Sequence, residues 1–151
     1  MRGVYSANIN GAVSAAATLL YITVASGKVV EILGISVTNA TNETNEQCEC
    51  ALQKVNSLGT PTATTLTPSK HEQGDQAAAS VVKGLVTASE PTYVANTEIG
   101  RQGFASLNGY YFQPAPEERP ILASGDSWGL RLLNAPAALN VVVNVMFREI
   151  G

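Results

Sequence analysis

The chain has 151 residues, of which 45% are hydrophobic and 14% charged, and its formal net charge is −3. These values predict one globular domain that is neither membrane-embedded nor disordered. No apolar run approaches the roughly 20 residues that cross a bilayer, the first residues lack a signal peptide's apolar stretch, and the nine basic residues form no stripe for phosphates. We therefore expect a chain made in the cytoplasm that binds neither membrane nor nucleic acid.

The first 17 residues have Arg2 as their only charged side chain, and residues 11–17 are small and weakly hydrophobic. Such a segment is typical of an arm that orders against a partner, and equally of an edge strand. We divide the chain into this N-terminal arm or edge strand, 1–17, and a single domain, 18–151.

Two segments rich in β-branched residues, 18–25 and 28–38, are joined by a Ser-Gly pair that favours a tight turn. In the second segment, strict alternation places Val30 and Ile32 on one face and Ile35 on the other. Neither face is strongly polar. We therefore expect this strand to be central in its sheet or covered by a neighbouring subunit.

Residues 47–55 have the pattern of a strand in which Cys48 and Cys50 share a face. A disulfide between neighbours on one strand face is strained, and a four-ligand metal site would need further Cys or His pairs. Two buried free thiols and no metal are predicted. A site shared between subunits on an oligomer axis is the alternative.

Residues 56–76, rich in Thr, Pro and Gly, are predicted to form a long excursion, and such loops are usually functional. They contain the only histidine, His71, among turn formers. A catalytic base needs a serine and a carboxylate fixed in space, so His71 is interpreted as a solvated loop residue. The chain also lacks a phosphate-binding glycine loop and a Gly-x-Ser-x-Gly elbow. We expect no enzyme activity, no catalytic residue and no cofactor.

The middle of the chain is less regular. Residues 77–88 are predicted to be a strand, with a short helix as the alternative. Residues 91–106 are predicted to be irregular, and 107–113 to form either a turn followed by an aromatic strand or a bulged strand. The pair Glu117-Glu118, flanked by prolines, is interpreted as part of a rigid surface connection rather than a catalytic carboxylate pair.

The last third alternates clearly. Residues 127–133 form a predicted strand, 134–137 a turn, and 139–148 a long strand whose odd-numbered side chains share one face. About eight strands at intervals of roughly ten residues predict an all-β fold of two packed antiparallel sheets, a β-sandwich of jelly-roll type. Low charge beside many Thr, Ser, Asn and Gln residues suggests extensive self-association.

Three short motifs carry a resemblance: Lys-Val-Val-Glu-Ile at 28–32, Pro-Glu-Glu-Arg-Pro at 116–120 before Gly-Asp at 125–126, and Phe-Arg-Glu-Ile-Gly at 147–151. In this order and spacing, over most of its length, the chain resembles small proteins encoded by tailed bacteriophages and prophages. In size and pattern it is similar to the jelly-roll capsid decoration, or cement, proteins of double-stranded DNA phages. The resemblance implies a homotrimer on the outer capsid surface of the virion that clamps adjacent major capsid subunits.

On this hypothesis the N-terminal arm lies against the capsid, and several modest contacts linked in one trimer act together. The residues expected to bind the capsid are Arg2, Tyr5, Asn8 and Asn10.

Aromatic side chains are the best anchors by type, although a sandwich core needs them equally. Trp128 is expected in the core, because it alternates with Leu130 and Leu132. The candidate anchors or oligomer contacts are Tyr110, Tyr111, Phe112 and Trp128.

The alternative function is a receptor- or carbohydrate-binding sandwich on a phage tail or fibre. In that case exposed rings such as those of Tyr93, Tyr110 or Tyr111 stack on sugars, and Asn or Asp side chains bind hydroxyls.

Overall fold

Two antiparallel β-sheets form the fold, which confirms the predicted β-sandwich. A computed structural model describes residues 2–41, 45–137 and 139–151. These residues contain thirteen strands, more than the roughly eight predicted, and one turn of 3₁₀ helix, Pro116–Glu118. No helix among them is long and apolar enough to cross a membrane. The strands are β1 (Arg2–Val13), β2 (Ala17–Thr23), β3 (Val29–Asn39), β4 (Gln47–Ser57), β5 (Thr62–Leu66), β6 (Ser69–Lys70), β7 (Val81–Ala88), β8 (Thr92–Tyr93), β9 (Ile99–Ala105), β10 (Tyr110–Phe112), β11 (Ile121–Leu122), β12 (Ser127–Leu132) and β13 (Leu139–Ile150).

The strands are divided between a six-stranded and a seven-stranded sheet. The first has the order β10-β3-β13-β1-β6, with β11 also paired to β3, and the second has the order β5-β7-β2-β12-β4-β8, with β9 also paired to β4. The Ser-Gly turn therefore joins strands of different sheets. The turn itself is present: the Lys28 amide donates to the Ala25 carbonyl at 3.1 Å, and Gly27 has φ +75°.

The longest strand pair joins the first and last strands of the chain. β1 runs antiparallel to β13 in unbroken register from Arg2 opposite Ile150 to Val13 opposite Leu139. In β13, every odd-numbered side chain from Leu139 to Phe147 is buried and every even-numbered one is half-buried, which confirms the predicted split. These buried residues form the centre of the core with the facing side chains of β2 and β12.

In β3 the predicted division between faces is wrong, because the strand contains a β-bulge. Met146 lies opposite Gly34 and Phe147 lies opposite Ile32, so Leu33 is an extra residue. A bulge reverses the parity of all following side chains. Val30 and Ile32 before the bulge, and Ile35 and Val37 after it, are consequently all buried in one core. β3 has paired strands on both sides, so the prediction that it is central is confirmed.

Two segments between β4 and β10 are more ordered than predicted. The excursion 56–76 contains β5 and β6, and the stretch 91–106 contains β8 and β9. Residues 81–88 form a strand, not the alternative helix. These short strands exist because longer strands of distant sequence supply their hydrogen-bond partners, which local composition does not reveal.

A buried carboxylate ties the segment before β7 to β13. Glu149 is buried, and its two carboxylate oxygens accept hydrogen bonds from the amides of Ala79 at 3.0 Å and Ser80 at 2.8 Å. Burial alone would raise the pKa of Glu149, but the hydrogen bonds from Ser80 and Ala79, with the nearby charge of Lys28, outweigh it and lower the pKa.

The Glu149→Gln variant is expected to lose about 1–3 kcal/mol of unfolding free energy at neutral pH, because an amide group then faces one backbone donor. A lowered folded-state pKa contributes stability above the ordinary glutamate value, and this contribution is lost as pH falls through the folded-state pKa. The difference in unfolding free energy between wild type and variant, measured by urea unfolding across pH, should therefore shrink at acidic pH. A difference that is constant with pH would contradict this role.

Candidate interaction face

The outer surface of the six-stranded sheet is built from alternate residues of four neighbouring strands. The register places Asn8 of β1 beside Asn144 of β13, which lies beside Ser36 of β3, which in turn lies beside Tyr111 of β10. Their sequence neighbours are buried in the core, so these side chains point away from it. We call this surface face A. Face A consists of Val4, Ser6, Asn8, Asn10, Ser36, Thr38, Tyr111, Ile121, Val142, Asn144 and Met146.

The eleven face A side chains are uncharged and are exposed or half-buried, but the same surface also carries the charged side chains of Glu31 and Arg148, in the row from Val4 to Ile121. Two large side chains at the β10 and β11 edge are the most accessible: Tyr111 is 55% exposed and Ile121 is 60% exposed. The rest of the face is small, amide-bearing or aliphatic. Depletion of charge together with exposed aromatic and aliphatic side chains is typical of a protein–protein interface.

A charge cluster lies between the face A residues Val4 and Ile121, near the start of β3. The Glu31 carboxylate is flanked by Arg119, at 3.2 Å, and Arg148, at 2.7 Å, and the three side chains are 11%, 24% and 22% exposed. The Nε atoms of both arginines are buried and have no hydrogen-bond partner among the described residues. One carboxylate thus holds two guanidinium groups, and together they fix the positions of β3, β13 and the loop before β11.

The centre of the other sheet's outer surface is covered by the protein's own chain. The Tyr93 hydroxyl group lies so close to Gly129 that a β-carbon on residue 129 would overlap it. The Arg131 guanidinium lies 4.2 Å from the Tyr93 ring centre. Gln53 below them is buried and donates to the Val94 carbonyl at 2.9 Å. Burial raises the pKa of Tyr93 to about 12. Face A is therefore the more open of the two sheet surfaces.

The structure brings His71 to Ser6, which the sequence did not suggest because 65 positions separate them. The Ser6 hydroxyl and His71 Nε2 are 2.7 Å apart, and His71 remains exposed. A shallow depression of about 290 Å³ beside them is lined by Val4, His71, Glu72, Asp75 and Arg148.

This serine–histidine pair has no third member of a catalytic triad among the described residues. The hydrogen bonds among the described residues include none from His71 to Glu72 or Asp75, so no carboxylate orients the imidazole. Within the same residues, no group of three His, Cys, Asp or Glu side chains is arranged to hold a metal ion.

The four residues expected to bind the capsid differ in where the structure places them. Asn8 and Asn10 are exposed on face A. Tyr5 is only 3% exposed and donates a hydrogen bond to the Gln76 carbonyl at 2.8 Å, so its side chain is part of the core and is not available to a partner. Arg2 begins β1, and its side chain lies outside the described part of the structure.

The four candidate anchors also differ in how deeply they are buried. Tyr110 is fully buried, donates to the Gly100 carbonyl at 2.7 Å and packs against Phe104, so it is a core residue and not an anchor. Trp128 packs against the core, as expected, and Phe112 is also half-buried and packs against the core. Of the four, Tyr111 alone is exposed.

Cys48 and Cys50 are buried and unpaired, as predicted. Burial raises the pKa of both thiols, that of Cys50 to about 12. A thiol that stays protonated at neutral pH is a poor nucleophile and a poor metal ligand. These cysteines are core residues.

No protein-family model matches the chain, and neither a curated protein nor a solved structure is significantly similar to it. The chemistry and geometry of face A are therefore the basis for a function.

Proposed function

We propose that the protein is a structural component of a phage virion. It binds the outer surface of the capsid through face A, as a symmetric oligomer, and stabilises contacts between major capsid subunits. The observation that carries this proposal is an open, charge-poor sheet surface with an accessible tyrosine and isoleucine, opposite a sheet whose centre is covered. The homotrimer stays a prediction of the resemblance to capsid decoration proteins.

We also propose that the sandwich is a jelly roll, and four strand pairs support this. A jelly roll is an antiparallel ribbon of eight strands, paired first with eighth, second with seventh, third with sixth and fourth with fifth, wrapped into two sheets. The pairs β1–β13, β2–β12, β3–β10 and β4–β9 follow this scheme in chain order. β5 and β7 then extend the second sheet beyond β2.

A rigid sandwich suits this mechanical function. Each copy would bury a modest, charge-poor surface, and linking copies by symmetry multiplies the affinity without any new contact. The buried cluster of Glu31, Arg119 and Arg148 holds the sheet's shape at one end of face A. A surface that is ordered before binding loses little conformational entropy when it binds.

The Tyr111→Ser variant is expected to bind capsids of the phage that encodes the chain about 10-fold or more weakly, because truncating an exposed aromatic anchor is costly at an interface. Val81→Ser is the matched control, since Val81 is 44% exposed on β7 of the other sheet. Co-sedimentation with capsids lacking the protein measures the affinity, and heating the particles measures whether bound protein raises their rupture temperature.

Two outcomes would count against capsid binding. One is that the wild-type protein neither sediments with capsids nor changes their rupture temperature. The other is that Tyr111→Ser and Val81→Ser bind equally to the wild type, which would place the contact elsewhere than face A.

A glycan-binding module is the second candidate, and the exposed ring of Tyr111 beside Ser36 favours it. Stacking on a sugar needs an accessible ring with hydrogen-bonding neighbours. Tyr110 is buried, and Tyr93 is half-buried with its hydroxyl group hydrogen-bonded to Thr18. Of these three rings, that of Tyr111 therefore remains for stacking on a sugar. Retention of the protein on a glycan array, lost in Tyr111→Ser, would support this candidate over the capsid.

A further inference from the structure

The outer edge of β1 is largely unpaired. β6 pairs with β1 only at Tyr5 and Ser6, and the His71 amide donates to the Val4 carbonyl at 3.0 Å just before them. Beyond Ser6, no strand among the described residues pairs with this edge of β1. The free part, 7–13, is long enough to accept another strand.

The backbone groups at this edge can be assigned. In a regular antiparallel strand, alternate residues direct both N–H and C=O to the same side. The Val4 carbonyl points away from β13. Asn8, Asn10 and Ala12 are separated from Val4 by an even number of positions, so their N–H and C=O groups also point away from β13, and all three residues are exposed. These three residues present an evenly spaced row of backbone donors and acceptors to solvent.

The edge lacks the usual protection against strand addition. Natural edge strands carry lysine, proline, bulges or inward-pointing charges that prevent pairing with another chain. Residues 3–27 contain no charged side chain, β1 contains no proline, and its pairing with β13 shows no register shift. The strand is therefore a regular template with no repulsive group on it.

We infer that a second copy of this chain pairs with this edge, antiparallel, about a two-fold axis at Asn10. Asn10 then faces Asn10 of the second copy, and Asn8 faces Ala12, so that each donor meets an acceptor. The two-fold axis places the two Asn10 side chains next to each other, which uncharged amides tolerate and charged side chains would not. The pairing would also join two copies of face A into one surface. It does not depend on capsid binding, and a two-fold dimer takes the place of the homotrimer that the resemblance implies.

The Asn10→Pro variant tests this pairing, with Asn10→Ser as the matched control. Proline removes the N–H of residue 10, which has no partner among the described residues, so an edge strand tolerates it. Wild type and Asn10→Ser should both reach twice the monomer mass as concentration rises in analytical ultracentrifugation. Asn10→Pro should dimerise about 10-fold or more weakly, because it loses the two central hydrogen bonds.

Amide hydrogen exchange gives a second measurement that does not depend on a variant's folding. Protection of the amides of Asn8, Asn10 and Ala12 should rise with protein concentration, while that of Ile9, which faces β13, should not change. A protein that is monomeric at every concentration would overturn the inference. So would an oligomer, such as a trimer, whose mass Asn10→Pro leaves unchanged, although that result would leave the proposed role of face A intact.

Discussion

Replacing Gly100 with valine is expected to lower the free energy of unfolding by about 3–5 kcal/mol, since backbone strain and steric overlap add. Gly100 has φ +63°, a conformation that side chains with a β-carbon rarely adopt. A β-carbon there would lie 2.6 Å from Cδ2 of Phe112 and 3.0 Å from the Tyr110 hydroxyl oxygen. The same residue accepts the Tyr110 hydrogen bond, so the corner between β9 and β10 would be displaced.

Gly59→Val is the control for this prediction. Gly59 has nearly the same backbone conformation, φ +62°, but no heavy atom lies within 4 Å of the position of its β-carbon. Gly59→Val should lower the free energy of unfolding only by the cost of the left-handed conformation, about 1–2 kcal/mol. Urea unfolding of the two variants measures the difference, which reports the overlap with the aromatic rings. Equal losses would show that those rings move aside freely.

The Glu31→Ala variant is expected to lose about 2–4 kcal/mol of stability, because it leaves two largely buried guanidinium groups without their counter-charge. Arg119 and Arg148 both depend on this carboxylate, and their Nε atoms already have no hydrogen-bond partner among the described residues. Chemical denaturation measures the loss. Binding through face A should weaken as well, because β3 and β13 supply most of that surface.

Glu49→Ala is the matched control for Glu31→Ala. Glu49 pairs with Arg101 on the surface, where the side chains are 37% and 56% exposed. Solvent screens such a pair, so its loss should cost less than about 1 kcal/mol. If the two alanine variants were equally stable, the cluster at Glu31 would have no greater role than an ordinary surface ion pair.

The fold class was predictable from local pattern, and the pairing of strands was not. Alternation in 139–148 predicts the strand and its buried face, because one uninterrupted period of two decides both. The bulge at Leu33 leaves no trace in the sequence, since an extra residue between two apolar runs has no distinctive composition. The turn at Gly27 was recognisable from the sequence. The sequence of a turn does not determine whether its flanking strands pair with each other or lie in different sheets.

Only part of the candidate site was predictable. Exposed Asn8 and Asn10 follow from their residue type, but the burial of Tyr5 and Tyr110 depends on which face meets the opposite sheet. The cluster of Glu31, Arg119 and Arg148 joins positions 88 and 117 residues apart and has no local signal. Tyr111 was one of several candidate anchors, and only the three-dimensional contacts of its neighbours distinguish it.

The pairing of β1 with β13 has a consequence for biosynthesis. β1 is translated before every other described strand, and its full-length partner β13 is translated after them. Until β13 is made, both edges of β1 are largely unsatisfied and Arg2 is its only charged residue, so the strand is prone to pair with other nascent chains. Slow, concentration-sensitive refolding follows from the same arrangement, because closing this pair brings together the most distant parts of the sequence. Yield during expression should therefore depend more on synthesis rate and temperature than on the stability of the finished fold.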